Sequence, residues 1–283
     1  MRVLVIGASG MIGNAILRVL SQQHNWEVYG TIRSPQLTLQ ELAPRAQLLQ
    51  GIHADQLDSL VAAFTHSRPQ VVINCLGLVK QLASSDDPLR AIPINSLLPH
   101  QLAQLCELTQ ARLVHFSTDC VFSGKQGNYR ESDLPDAQDL YGRSKLMGEV
   151  SYRHSITLRT SVIGHELKHQ HGLVDWFLSQ TETVKGYTKA VFSGLPACEL
   201  ASIVRDFVIP SADLNGLYHL ATTPISKHDL LHIINKEYGK NIKIEPNDKV
   251  KINRSLDGSR FKEETGYMAP AWTDLIAQMR KFS

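Results

Sequence analysis

Short, continuously apolar runs alternate with longer amphipathic stretches along most of this chain. The runs Arg2–Ile6, Glu27–Ile32, Gln47–Gly51, Val71–Cys75, Arg112–Ser117, Ser155–Thr160 and Gly216–Ala221 have strand length and are apolar at successive rather than alternate positions. Strands of that kind are buried on both faces, the condition of a parallel sheet covered by helices. Helical patterns begin between them, near Met11, Gln56, Pro88, Leu140 and Leu200. The pattern predicts a doubly wound α/β architecture.

After Thr160 the rhythm loosens. Ser161–Pro196 is of mixed polarity with several histidines, and Ile225–Ser283 carries two helical patterns around a Lys/Asn-rich stretch. The expected organisation is a nucleotide-binding domain over residues 1–163, with 197–222 returning to it. Residues 164–196 and 223–283 form a smaller C-terminal substrate lobe. Repeats and low-complexity linkers are absent from the sequence.

The first strand runs into Gly7-Ala8-Ser9-Gly10-Met11-Ile12-Gly13, which opens the first helix. Glycines there allow a tight turn and close approach of backbone to a diphosphate, and the helix N-terminus offers free N–H groups to phosphate. This predicts a Rossmann dinucleotide site at Gly7, Ser9, Gly10, Met11, Ile12 and Gly13. The second strand ends Thr31-Ile32-Arg33-Ser34, without the acid that would bind a ribose 2′-hydroxyl. Arg33 is suited instead to the 2′-phosphate of NADP(H). Asp55, after the third strand, is either a partner for the adenine amino group or a cap of the next helix.

Leu140-Tyr141-Gly142-Arg143-Ser144-Lys145-Leu146-Met147-Gly148-Glu149 is the most informative segment. Tyr141 and Lys145 are four apart and share a helix face. A nearby ammonium would lower the phenol pKa and make Tyr141 a general acid. Upstream, Phe116-Ser117-Thr118-Asp119-Cys120-Val121-Phe122 offers the Thr118 hydroxyl to a substrate carbonyl.

With Arg159-Thr160-Ser161 and Gly216-Leu217-Tyr218-His219-Leu220, these motifs resemble the extended short-chain dehydrogenase/reductases, most of all the dTDP-4-dehydrorhamnose reductase family. The resemblance spans most of the chain, more densely before residue 165. It implies Thr118, Tyr141 and Lys145 as catalytic residues, and Asn74, Cys75, Gly77, Asn95 and Ser117 beside the cofactor and active-site helix. Asp119, Cys120, Val162 and Arg254 then fall toward the substrate. The implied reaction is NADPH-dependent reduction of the 4-keto group of a nucleotide-linked deoxysugar. Two departures stand out: Cys120 and Val162 occupy positions where the family often has Tyr and Trp.

Other readings are weaker. An epimerase is the rival on the same scaffold. Dehydration is disfavoured because Cys120 stands where a dehydratase would be expected to place Glu. A non-catalytic NADP-binding regulatory subunit, like that of methionine adenosyltransferase, is the rival from another class. His165, His169 and His171 lack metal-site spacing and read as a solvated or substrate-contacting loop, so no metal is expected. Lys185, Lys189, Arg254 and Arg260 are candidate cations for a substrate diphosphate. Trp176 and Phe177 read as packing residues, or as walls of the sugar pocket. The four cysteines, at positions 75, 106, 120 and 198, show no metal or disulfide framework. A net charge of +2 implies no nucleic-acid surface. The absence of a long apolar run or leader predicts a cytoplasmic protein without a membrane partner. A homodimer is the assembly considered.

Overall fold

Val3, Leu4, Val5 and Ile6 have no exposed surface, and their strand lies at the centre of the molecule. The computed structural model describes residues 1–78, 86–167 and 172–283. In chain order its main elements are β1 (Arg2–Ile6), α1 (Met11–Ser21), β2 (Glu27–Thr31), α2 (Leu37–Leu42), β3 (Gln47–Leu49), α3 (Leu57–Ser67), β4 (Val71–Asn74) and α4 (Pro88–Ala91). A π-helical turn, Ile92–Leu97, carries α4 into α5 (Leu98–Leu108). There follow β5 (Arg112–Thr118), α6 (Leu140–Met147), β6 (Ser155–Thr160), β7 (Val162–Ile163), α7 (Leu173–Leu178), β8 (Val184–Tyr187), β9 (Ala190–Phe192), β10 (Leu195–Pro196) and α8 (Ala197–Ile203). The chain ends with β11 (Gly216–His219), β12 (Ile225–Ser226), α9 (Lys227–Glu237), β13 (Ile244–Asn247), β14 (Ile252–Asn253), α10 (Ser259–Thr265) and α11 (Trp272–Phe282).

Seven strands form one sheet in the order β11-β6-β5-β4-β1-β2-β3, and every pairing is parallel. The order reverses between β1 and β4. In a doubly wound sheet that reversal opens a crevice at the carboxyl ends of the strands, where ligands bind. The predicted α/β fold with a parallel Rossmann sheet is what the chain adopts.

One face of the sheet packs on α1 and α8 through Ile16, Leu20, Leu200 and Ile203; the other packs on α3 and α5 through Leu60, Phe64, Leu98 and Leu102. A separate core gathers Val174 and Phe177 of α7, Val184 of β8, Leu230 and Ile234 of α9, Ile244 of β13 and Leu275 and Ile276 of α11. Residues after 223 serve both cores, because Phe261 of α10 and Tyr267 are buried with the large sheet. Phe177 is fully buried while Trp176 is 40% exposed, so only the first of the two packs inside.

Candidate active site

The turn after β1 is built for close approach. Gly7 has φ 82°, a left-handed conformation that favours glycine. A Cβ at Gly13 would collide with the Gly7 carbonyl, so α1 and the turn interlock only with glycine at position 13. The N-cap of α1 is Gly10, and no side chain caps this eleven-residue helix. Its first N–H groups are therefore left for an anion at the crevice. These features fit a dinucleotide diphosphate. Ser9, Met11 and Ile12 are partly exposed on the same turn.

Arg33 is exposed just beyond β2, with no acid from Thr31 to Gln40. Asp55 is also exposed. It does not cap α3, whose N-cap is Gln56 and which has no side-chain cap. At the end of β4, Asn74 is fully buried; its Oδ1 accepts from the Leu76 N–H at 3.1 Å, and its amide meets His115 Nδ1 at 3.1 Å. Cys75, half-buried, donates its backbone N–H to Ile6 and so ties β4 to β1.

The π-helical turn places Asn95 beneath the active-site helix. Its Oδ1 accepts from Leu78 N–H at 2.9 Å, and its amide donates to Ser144 Oγ at 3.1 Å. A Cβ at Gly148 would collide with the Asn95 carbonyl. Gly77 lies over the same spot: a Cβ there would sit 3.5 Å from Asn95 Oδ1 and 3.8 Å from Lys145 Nζ.

Asp139 starts α6, accepting from Gly142 N–H at 2.8 Å. Gly142 rests against the Cys120 carbonyl, where a Cβ would not fit. This docking brings Tyr141 to the end of β5, within side-chain hydrogen-bond reach of Thr118. Thr118 Oγ1 accepts from Cys120 N–H at 3.1 Å and lies 3.2 Å from Asp119 Oδ1, to which it can donate. Lys145, 5% exposed, donates to the Phe116 carbonyl at 2.7 Å. Thr118, Tyr141 and Lys145 thus meet at the carboxyl end of β5, beside the order reversal.

The electrostatics correct one expectation. Burial, not a neighbouring ammonium, dominates Tyr141 and pushes its phenol up; Cys120, Asp119 and Asp139 add to the rise, and a hydrogen bond with Thr118 opposes it. The Lys145 ammonium is held by a backbone carbonyl instead. Burial pulls Lys145 down to about 8, against the opposing pull of Glu149. Burial raises Asp119, with Arg254 and Lys227 working the other way.

Some anticipated contacts are taken up elsewhere. The Ser117 hydroxyl donates to Glu149 at 2.6 Å. Arg254 Nε donates to the Phe122 carbonyl at 2.7 Å while its charge faces Asp119. Arg260 bonds Glu264 and the Leu217 carbonyl and lies over the Tyr218 ring, and Lys189 pairs with Asp248. Neither was legible from charge alone as a packing partner. Val162 pairs with Leu195 and is half-buried, like Cys120. His165, 26% exposed, bonds Asp175 at 2.6 Å and Tyr238 at 2.7 Å. His169 and His171 lie outside the described residues. No group of three metal-ligating side chains occurs among the described residues. Among them, too, no helix is long and apolar enough to cross a membrane. None of the four cysteines is in a disulfide.

Sequence reasoning missed a buried network beneath Lys145. Glu149 receives Ser117 Oγ at 2.6 Å and both Nε and Nη2 of Arg159 at 2.7 Å. Arg159 Nη1 meets His219 Nε2 at 3.3 Å, and His219 Nδ1 meets the Tyr129 carbonyl at 3.0 Å. Burial and Arg159 pull His219 down to about 4, so it is neutral, donating from Nδ1 and accepting at Nε2. The available signal was the four-residue step from Lys145 to Glu149, an acid just past the end of α6.

A family model described as the RmlD substrate binding domain matches residues 1–281. A probable low-salt glycan biosynthesis reductase of Haloferax volcanii is 27% identical over 78% of this chain and 75% of that protein. Methionine adenosyltransferase 2 subunit beta of Bos taurus is 28% identical over 52% of this chain and 41% of that protein. A solved structure, a hypothetical dTDP-4-dehydrorhamnose reductase from Sulfolobus tokodaii, matches with a TM-score of 0.79 and 25% identity over 96% of this chain and 98% of that one. The chain belongs to the RmlD substrate-binding-domain family, within the extended short-chain dehydrogenase/reductases.

Proposed function

We propose that this protein is an NADPH-dependent reductase of the 4-keto group of a nucleotide-linked deoxysugar, in precursor synthesis for a surface polysaccharide. The observation that carries the reading is the convergence of Thr118, Tyr141 and Lys145 at the carboxyl end of β5, in the same sheet whose β1 leads into the Gly7–Gly13 turn. NADPH, held by that turn and by Arg33, supplies the hydride. Tyr141, protonated because burial disfavours its phenolate, gives a proton to the ketone oxygen as the hydride reaches the carbon. Thr118 orients that oxygen. Lys145 provides positive charge beside the reacting pair and a donor for the cofactor ribose. Asp119, Cys120, Val162 and Arg254 border the sugar and its diphosphate, and residues 164–196 and 223–283 supply the substrate lobe.

Steady-state oxidation of NADPH with a 4-keto nucleotide sugar tests the reading. Stoichiometric consumption supports reduction. Turnover without net NADPH loss favours the epimerase. NADPH binding without turnover favours a non-catalytic subunit; the bovine methionine adenosyltransferase 2 subunit beta matches about half of this chain.

Arg33 sets an expectation for cofactor choice. A charge-assisted phosphate contact contributes about 1.5–3 kcal/mol, or roughly 10- to 150-fold in affinity. Arg33→Ala should weaken NADPH by that factor and leave NADH nearly unchanged in fluorescence titrations. Equal affinities of the parent for both cofactors would contradict it.

Cys120 and Val162 point to a wider sugar pocket than Tyr and Trp would leave. Loss of a phenol and an indole removes discrimination as well as bulk. Another 4-keto sugar, such as an N-acetylated one, is expected to give a higher kcat/KM than dTDP-4-dehydrorhamnose. Better turnover of dTDP-4-dehydrorhamnose than of UDP-linked keto sugars would refute this.

A further inference from the structure

We propose that Glu149 is a positioning residue for the reaction: its carboxylate, clamped between Ser117 and Arg159, fixes the end of β5 on which the Lys145 ammonium is seated through the Phe116 carbonyl. The proposal rests on the reading of Lys145 as part of the reacting site. Glu149 follows Lys145 by four residues, just past the end of α6, and its carboxylate receives Ser117, the residue after the one whose carbonyl holds Lys145. Its anchors come from two strands. Ser117 of β5 is adjacent to both Phe116, which receives Lys145, and Thr118, which meets Tyr141. Arg159 of β6 grips both carboxylate oxygens at 2.7 Å. Arg159 and Glu149 side chains are only 3% and 11% exposed, so the carboxylate is fixed in a poorly screened setting.

The remaining charges near Lys145 do not provide this support. His115 of β5 is buried and neutral, driven well below its usual range by burial and by Lys145 itself. His219 of β11 is neutral as well. Arg159, also cationic, is paired with Glu149. Among the described residues, the π-helical turn and the loop after β4 bring the neutral Asn95 and Gly77 to Lys145. Tyr141 is protonated, and Asp119 bonds Thr118 on the far side. Glu149 is the anion that raises Lys145 against the pull of burial.

The sign of the expected effect follows. Lys145 loses its charge as pH rises through about 8, so reduction should fall above that pH. An opposite charge at close range shifts a titration by about 1–3 units. Glu149→Gln keeps the shape and removes the charge, so the alkaline limb of kcat should move toward neutrality by about one unit or more. Glu149→Asp should restore most of it. The direct readout is the pH dependence of Lys145 acetylation by trace acetic anhydride, followed by mass spectrometry of the full-length protein. It needs no turnover, so it decides the role of Glu149 even if the keto-sugar reaction is absent. Should Glu149→Gln leave Arg159 uncompensated and unfold, the shift is read in the Glu149→Gln/Arg159→Met double variant against Arg159→Met, so that only the Glu149 charge differs. A Lys145 midpoint in Glu149→Gln unchanged from the parent, or in the double variant unchanged from Arg159→Met, would overturn the proposal.

Discussion

Tyr141→Phe is expected to lower kcat by at least about two orders of magnitude while leaving NADPH affinity close to that of the parent. Phe keeps the ring in a site that is largely closed to solvent and removes only the proton donor. General acid catalysis typically contributes about 10²–10⁴-fold, so the barrier should rise by at least about 2.7 kcal/mol. The dinucleotide is held elsewhere, by the Gly7–Gly13 turn and the uncapped start of α1. Fluorescence titration of NADPH and steady-state rates separate the two effects. Near-parental turnover in Tyr141→Phe would remove Tyr141 from the chemistry and favour a binding role for the chain.

Arg159→Met should produce the largest loss of stability. The side chain is buried, bonds both oxygens of Glu149, contacts neutral His219 and lies 5.2 Å above the centre of the Phe122 ring. Removing it strands the Glu149 carboxylate. Breaking a buried pair from one side costs about 3–5 kcal/mol. For a chain of this length that corresponds to a fall in Tm of roughly 6–20 °C. The Glu149→Gln/Arg159→Met double variant should recover part of the loss, because no uncompensated charge remains. A double variant no more stable than Arg159→Met would mean that geometry, not charge, dominates the network.

The parts of this protein that were legible in its sequence are those where neighbours in sequence do the work. Val3–Ile6 and Val71–Ile73 are apolar at every position because both faces are covered, and they became central strands. The glycine turn declared itself because φ at Gly7 and the contact at Gly13 exclude other residues. Tyr141 and Lys145 announced themselves by helical spacing. The π-helical turn was hidden, since one extra residue per turn leaves no compositional mark. Helix α2 also escaped, with Leu39 its only buried residue. Arg260 read as a substrate cation because charge alone does not show that a guanidinium will pack on Tyr218. The Tyr141 titration was misjudged for a related reason. Spacing put an ammonium on the same helix face, but desolvation, which depends on everything packed around the phenol, outweighed it.

Deuterium transfer is the most direct test of hydride delivery at this site. The protein is incubated with NADPH carrying deuterium at the transferable position of the nicotinamide and with a nucleotide-linked 4-keto sugar. The product is then examined by mass spectrometry and proton NMR. The arrangement of Thr118, Tyr141 and Lys145 predicts one deuterium at C4 of the sugar for each NADPH oxidised, of a single stereochemistry. A product without deuterium, or NADPH left unchanged beside unreacted ketone, would contradict it.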